Sequence, residues 1–189
     1  MLANRIHLRI QGPEKVCIIG KNGVGKTTLL KKIAEELLER KDLRAAYMPQ
    51  NYGELLPGEA TPLDFLQVKG DKEEMTRIRT WLGSMKFTAD EMEHPIRELS
   101  GGQKAKLFFM KMSLEENDVL ILDEPTRNFS PMSNPVIRNI LADYQGAILC
   151  ISHDRKFIEE VCTKSLSSDR GRTAGGGKGK THGMNLKNV

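Results

Sequence analysis

Gly20, Gly25, Lys26 and Thr27 follow the spacing Gly-x-x-x-x-Gly-Lys-Thr within residues 20–28, GKNGVGKTT. Glycines so placed let backbone N–H groups turn inward onto phosphate oxygens, Lys26 reaches the β and γ phosphates of a nucleotide, and the Thr27 hydroxyl ligates Mg²⁺. Asn22, Gly23 and Thr28 complete the cradle. The helix expected to follow points its positive dipole end at the same anion. These residues would bind ATP with Mg²⁺.

A second constellation is the apolar run 119–122, VLIL, ending in Asp123 and Glu124. A strand that ends in two carboxylates can give one acid to Mg²⁺ and the next to the attacking water. Asp123 takes the metal role and Glu124 the base role. The same pair standing alone would read as a solvated loop or a helix cap; the phosphate loop upstream favours chemistry. A third constellation is residues 99–103, LSGGQ, in which Ser100 and Gln103 have the spacing of a capping box, and Gly101 and Gly102 leave first-turn N–H groups open to a phosphate.

The elements that must position these groups are visible in the hydrophobic pattern. Residues 15–20 form a short apolar run ending in glycine, as a strand buried on both faces does. A helix over 26–40 puts Leu29, Leu30, Ile33, Ala34, Leu37 and Leu38 on one stripe. Residues 44–48, 119–122 and 147–151 are further buried-strand candidates, and their alternation with helical stretches predicts an α/β fold with a mainly parallel sheet. Residues 62–115 contain helical patterns at 63–68, 73–85 and 101–114 and no strand, which predicts an inserted helical subdomain. The nucleotide-binding domain is therefore assigned to residues 1–163. Residues 164–189, Gly-rich and basic, are expected to be a disordered tail.

Bulk composition narrows the classes. With 189 residues there is room for one well-packed domain. No apolar run approaches the roughly 20 residues of a membrane helix, and the N-terminus lacks an export-signal pattern. Cys17, Cys150 and Cys162 have neither metal-ligand nor framework spacing, so they read as small buried hydrophobes, and the compartment expected is the reducing cytoplasm. The net charge is +4, but residues 163–189 carry six Lys/Arg against one Asp, leaving residues 1–162 at −1. The body shows no global basic bias.

The LSGGQ segment resembles the signature of the ABC ATPase superfamily. The other elements follow in the family's order over residues 6–162: Gln50 resembles the Q-loop glutamine, Asp123 and Glu124 the Walker B end, and His153 the switch histidine. Residues 99–107 and 152–158 resemble the ABC-F group, and residues 123–131 its second ATPase half in bacterial proteins of the antibiotic-resistance type. The resemblance implies a P-loop NTPase fold with a small, partly truncated antiparallel N-terminal portion. It implies ATP hydrolysis with Glu124 and His153 catalytic, and Mg²⁺ held by Thr27, Gln50 and Asp123. It also implies pairing with a second ATPase half whose residues equivalent to Ser100, Gly101, Gly102 and Gln103 close on the γ phosphate, and action on the ribosome.

Four departures from the family pattern stand out. One ATPase half is present without an interdomain linker. The adenine-stacking aromatic is missing, His7 or an aliphatic standing nearest. Ser130 followed by Pro131 replaces the D-loop aspartate. The glycine-rich turn at about Lys164 is expected to mark a frame change or truncation. The alternative readings are the ATP-binding subunit of a membrane transporter, and a non-catalytic remnant whose tail gives RNA affinity through Arg172, Lys178 and Lys180.

Overall fold

In a computed structural model of the chain, the described residues are 9–10, 12–127, 131 and 134–167. Five strands, β1 (Lys15–Ile19), β2 (Ala45–Met48), β3 (Val119–Asp123), β4 (Ala147–Ile151) and β5 (Lys164–Ser167), form one sheet in the order β2-β3-β4-β1-β5. All its pairings are parallel. The antiparallel N-terminal portion expected from the resemblance falls largely on residues 1–8, outside the described residues, as does His7.

The sheet explains why its strands read as unbroken apolar runs. Val16, Ile18, Val119, Ile121, Ala147, Leu149 and Ile151 share a buried cluster with Leu30, Ile33, Ala34 and Leu37 of α1 (Lys26–Leu38). The alternate positions Cys17, Leu120, Leu122, Ile148 and Cys150 are 0% exposed. Both faces are covered, so neither can be polar.

The register sets the functional edge. Ile18 lies opposite Ile151, Asp123 opposite Ile151, and Met48 opposite Leu122. Gly20, His153 and Gln50 each follow two residues after one of these levels, so the groups singled out by sequence emerge together at the carboxyl edge of the sheet. Open α/β sheets bind ligands at that edge.

A separate helical unit comprises residues 51–116 and 128–136, broader than the 62–115 expected. Its helices are α2 (Pro62–Leu66), α3 (Lys72–Ser84), α4 (Ala89–Glu93) and α5 (Gly101–Leu114). Thr61, Asp71, Thr88 and Ser100 cap them through side-chain oxygens. The sheet unit takes the rest of the chain.

Three features were not anticipated. Helices α6 (Asn134–Asp143) and α7 (Arg155–Val161) were not read from the pattern. The tail assigned from residue 164 begins instead with β5, whose Lys164 and Ser167 pair with Val16 and Ile19 of β1. Four residues with a single leucine are too short to show a period, and it is the adjacent edge of β1 that makes them a strand. Residues 168–189, which carry the rest of the expected tail, lie outside the described residues.

Candidate nucleotide site

Gly23 and Gly25 adopt φ of 81° and 89°, conformations that L side chains rarely enter. Gly25 is the N-cap of α1 and provides no side chain to cap it. The first-turn N–H groups therefore have no capping side chain and face the loop, the arrangement that receives an anion. Lys26 is 8% exposed, and its Nζ donates to the carbonyl oxygens of Gly20 at 2.7 Å and Lys21 at 2.8 Å. Its ammonium is thus held inside the curl of the loop.

β3 delivers Asp123 and Glu124. Asp123 is 2% exposed, and neither carboxylate oxygen has a hydrogen bond of normal geometry. Burial pushes its pKa up, opposed by the Thr27 side chain and the charges of Lys26 and Arg127. A buried carboxylate without a partner is costly, and beside a threonine hydroxyl it fits a hard divalent cation. Glu124 takes φ 53°, a strained value for a non-glycine residue at a cost of about 1–3 kcal/mol. Its N–H donates to the Ile151 carbonyl at 2.9 Å.

β4 delivers His153. Ser152 Oγ accepts from the Asp154 N–H at 3.1 Å, and Asp154 caps α7 by accepting from the N–H groups of Lys156 and Phe157. The bend so fixed places His153 Nε2 3.5 Å from Glu124 Oε1, and the His153 N–H donates to Glu124 Oε2 at 3.3 Å. Burial raises the Glu124 pKa, the His153 N–H and ring work against it, and Asp123 adds to it.

These groups line one cleft of about 690 Å³, which gathers Asn22, Gly23, Gly25, Lys26, Thr27, Thr28, Gln50, Asp123, Glu124 and His153. Gly20 contributes its carbonyl to Lys26. Thr126, Arg127, Ile151 and Asp154 join the lining without having been singled out; adjacency to the two acids and to His153 was the available signal. All belong to the sheet unit.

Ser100, Gly101, Gly102 and Gln103 belong to the helical unit. The capping box expected there is present: Gln103 N–H donates to Ser100 Oγ at 3.3 Å, and Ser100 N–H donates to Gln103 Oε1 at 2.9 Å. The Tyr52 hydroxyl donates to the Gly101 carbonyl at 3.1 Å, and a Cβ at Gly101 would meet nothing within 4 Å. Ser130 lies outside the described residues. No helix among the described residues is long and apolar enough to cross a membrane.

A phosphate loop at the carboxyl edge of a parallel sheet, a buried acid beside its threonine and a second acid under a histidine define an ATP-binding module of the P-loop class. The ABC transporter family model matches residues 3–127, and the chain belongs to that family. It is 36% identical over 171 residues to the ribosome protection protein VmlR of Bacillus subtilis, covering 87% of this chain and 31% of that protein. It is 32% identical over 179 residues to ABC transporter F family member 5 of Arabidopsis thaliana, covering 90% of this chain and 26% of the relative. The likeness is thus to the ABC-F type of ATP-binding module. The chain spans about a quarter to a third of the length of the curated relatives it matches. An ATP-binding cassette solved as a dimer in a post-hydrolysis state with ADP and Pi shares the fold, with a TM-score of 0.69, 18% identity and 89% of each chain covered.

Proposed function

We propose that this chain is one ATP-hydrolysing half of a paired ABC-F type ATPase, acting in the cytoplasm with a second such half. The observation that carries the reading is the unpartnered Asp123 carboxylate beside Thr27, with Glu124 and His153 joined on the wall of the same cleft. Structural burial alone gives no reason to keep an unpaired acid there.

The mechanism follows from what each group can reach. Lys26 exchanges the carbonyls of Gly20 and Lys21 for β and γ phosphate oxygens, while the N–H groups around Gly25 hold the same phosphates. Thr27, Gln50 and Asp123 would hold Mg²⁺, which supplies neutralisation of the phosphate charge when bound. Glu124 takes a proton from water as the water oxygen bonds to the γ phosphorus and the bond from that phosphorus to the ADP oxygen breaks. His153 keeps that carboxylate oriented and contacts the γ phosphate. Ser100, Gly101, Gly102 and Gln103 serve the partner's nucleotide, as the equivalent segment of the partner serves this one. Gln50, the last residue of the sheet unit before the helical unit, couples the metal site to that unit.

Ribosome action is suggested by one relative, a ribosome protection protein. The corresponding proposal is that the paired assembly works on the ribosome, this half contributing one of its two nucleotide sites. The decisive experiment is steady-state phosphate release measured against protein concentration. The rate per chain is expected to rise with concentration; zero turnover at every concentration, with and without a supplied second half, would make the chain a non-catalytic remnant.

A further inference from the structure

Three cysteines far apart in sequence converge. Cys17 and Cys150 lie side by side in the register of β1 and β4. Cys162 reaches them because α7 brings the chain back to β1, where the Thr163 N–H donates to the Lys15 carbonyl at 2.7 Å and Thr163 Oγ1 accepts from the Lys15 N–H at 2.9 Å. All three are free thiols. Their sulfurs lie within 4.8 Å of one another, with Cys150 Sγ and Cys162 Sγ 3.8 Å apart.

We propose that Cys17, Cys150 and Cys162 form a buried three-sulfur site for copper(I), separate from the nucleotide cleft. Metal–sulfur bonds of about 2.3 Å place ligand sulfurs roughly 3.8–4.0 Å apart, close to the spacing already present. Soft thiolates select soft cations. Zinc in a structural site wants a fourth ligand, and among the described residues no histidine or carboxylate joins the three sulfurs. Cys17 and Cys150 are fully buried, which leaves three-coordinate copper(I) as the fit.

The three thiols influence one another: contact with Cys150 and then Cys162 pulls the Cys17 thiol down, while contact with Cys162 and then Cys17 pushes the Cys150 thiol up. On binding, each ligating thiol that still carries a proton releases it to solvent, and copper stays in the +1 state, so no oxidant or reductant is consumed.

The test uses the reduced full chain under anaerobic conditions, titrated with copper(I) against a chromogenic copper(I) chelator. One copper(I) per chain is expected to be withdrawn from the chelator, with X-ray absorption showing sulfur neighbours only. The chain has three cysteines in all, so Cys162→Ser, at the half-buried position, is expected to lose that binding while melting like the parent without metal. Should the variant fold poorly, the parent alone decides: copper(I) is expected to protect Cys162 from alkylation. A chelator that keeps all the copper, equal binding by Cys162→Ser, unchanged alkylation, nitrogen ligands in the absorption spectrum, or uptake of zinc(II) in preference to copper(I) would each overturn the site. In that case the sulfurs are only small buried hydrophobes.

Discussion

His153 Nε2 lies 3.5 Å from Glu124 Oε1, and the His153 N–H donates to the other oxygen of the same carboxylate at 3.3 Å. One backbone donor and the neighbouring imidazole leave Glu124 little freedom to rotate, and its backbone is turned to φ 53° in the same corner. The arrangement suits a group that must meet water at one fixed angle. Glu124→Gln keeps the shape and removes the basicity. Turnover is expected to fall by about 10²–10⁴-fold, the usual contribution of a positioned base. Nucleotide binding is retained and an ATP-held pair accumulates, readable by phosphate release beside light scattering. Unchanged turnover would remove Glu124 from the role of base.

The pH dependence has a definite sign. Burial raises the Glu124 pKa above the ordinary glutamate value of about 4.3, and the base must be ionised to work. The acid limb of the rate profile is therefore expected above that value. His153→Ala removes the ring that opposes burial, so the limb moves to still higher pH. Stability runs the other way: the native state binds this proton more tightly than the unfolded chain. Stability from this group is full below the unfolded pKa and falls as pH rises through the raised one. Denaturation of parent and Glu124→Gln should diverge across that window, the parent losing ground as pH rises.

Asp123 carries the sharper conflict between stability and function. Its buried carboxylate has no well-formed hydrogen bond, so Asp123→Asn removes an unpaired charge and leaves a group that is less costly to bury. The ligand-free variant is expected to gain about 0.5–2 kcal/mol, a range common for substitutions that relieve a functional site. The variant should lose Mg²⁺-dependent enhancement of ATP binding. Chemical denaturation and nucleotide titration with and without Mg²⁺ check both halves, and a variant that is less stable and still Mg²⁺-responsive would contradict the assignment.

Lys26 connects loop shape to ligand binding. Its Nζ satisfies two loop carbonyls at 2.7 and 2.8 Å, so Lys26→Ala loses both the internal brace and the phosphate contact. A charged hydrogen bond contributes about 1.5–3 kcal/mol, which converts to about a 10- to 160-fold weaker nucleotide affinity. Equilibrium titration with a fluorescent ATP analogue reads it directly.

The site was legible because its chemistry is written in short contiguous motifs. Gly23 and Gly25 need positive φ and Lys26 needs the loop carbonyls within one short segment, and Asp123 with Glu124 must leave a buried strand within another. The same locality made α1, α5 and β4 readable from period and caps. β5 was missed because Lys164 and Ser167 form a strand only where β1 offers an open edge. The thiol cluster was missed because Cys17 and Cys150 meet through strand register and Cys162 through the return of α7. Neither relationship has a sequence spacing of its own.

Gly146 gives a prediction that depends on packing alone. A Cβ there would stand 2.6 Å from the Asp118 carbonyl oxygen and 2.7 Å from the Tyr144 ring. The ring could move, but the carbonyl cannot, since Asp118 O accepts from the Ala147 N–H at 2.9 Å and so registers the start of β4 against β3. Gly146→Ala is expected to destabilise the fold by about 1–3 kcal/mol, the usual penalty of overpacking. β4 carries both Cys150 and the approach to His153, so the variant should lose turnover along with thermal stability while Gly101→Ala, whose Cβ meets nothing within 4 Å, keeps its melting temperature. Comparing the melting curves of the two variants separates a packing cost from a general intolerance of alanine at glycine positions.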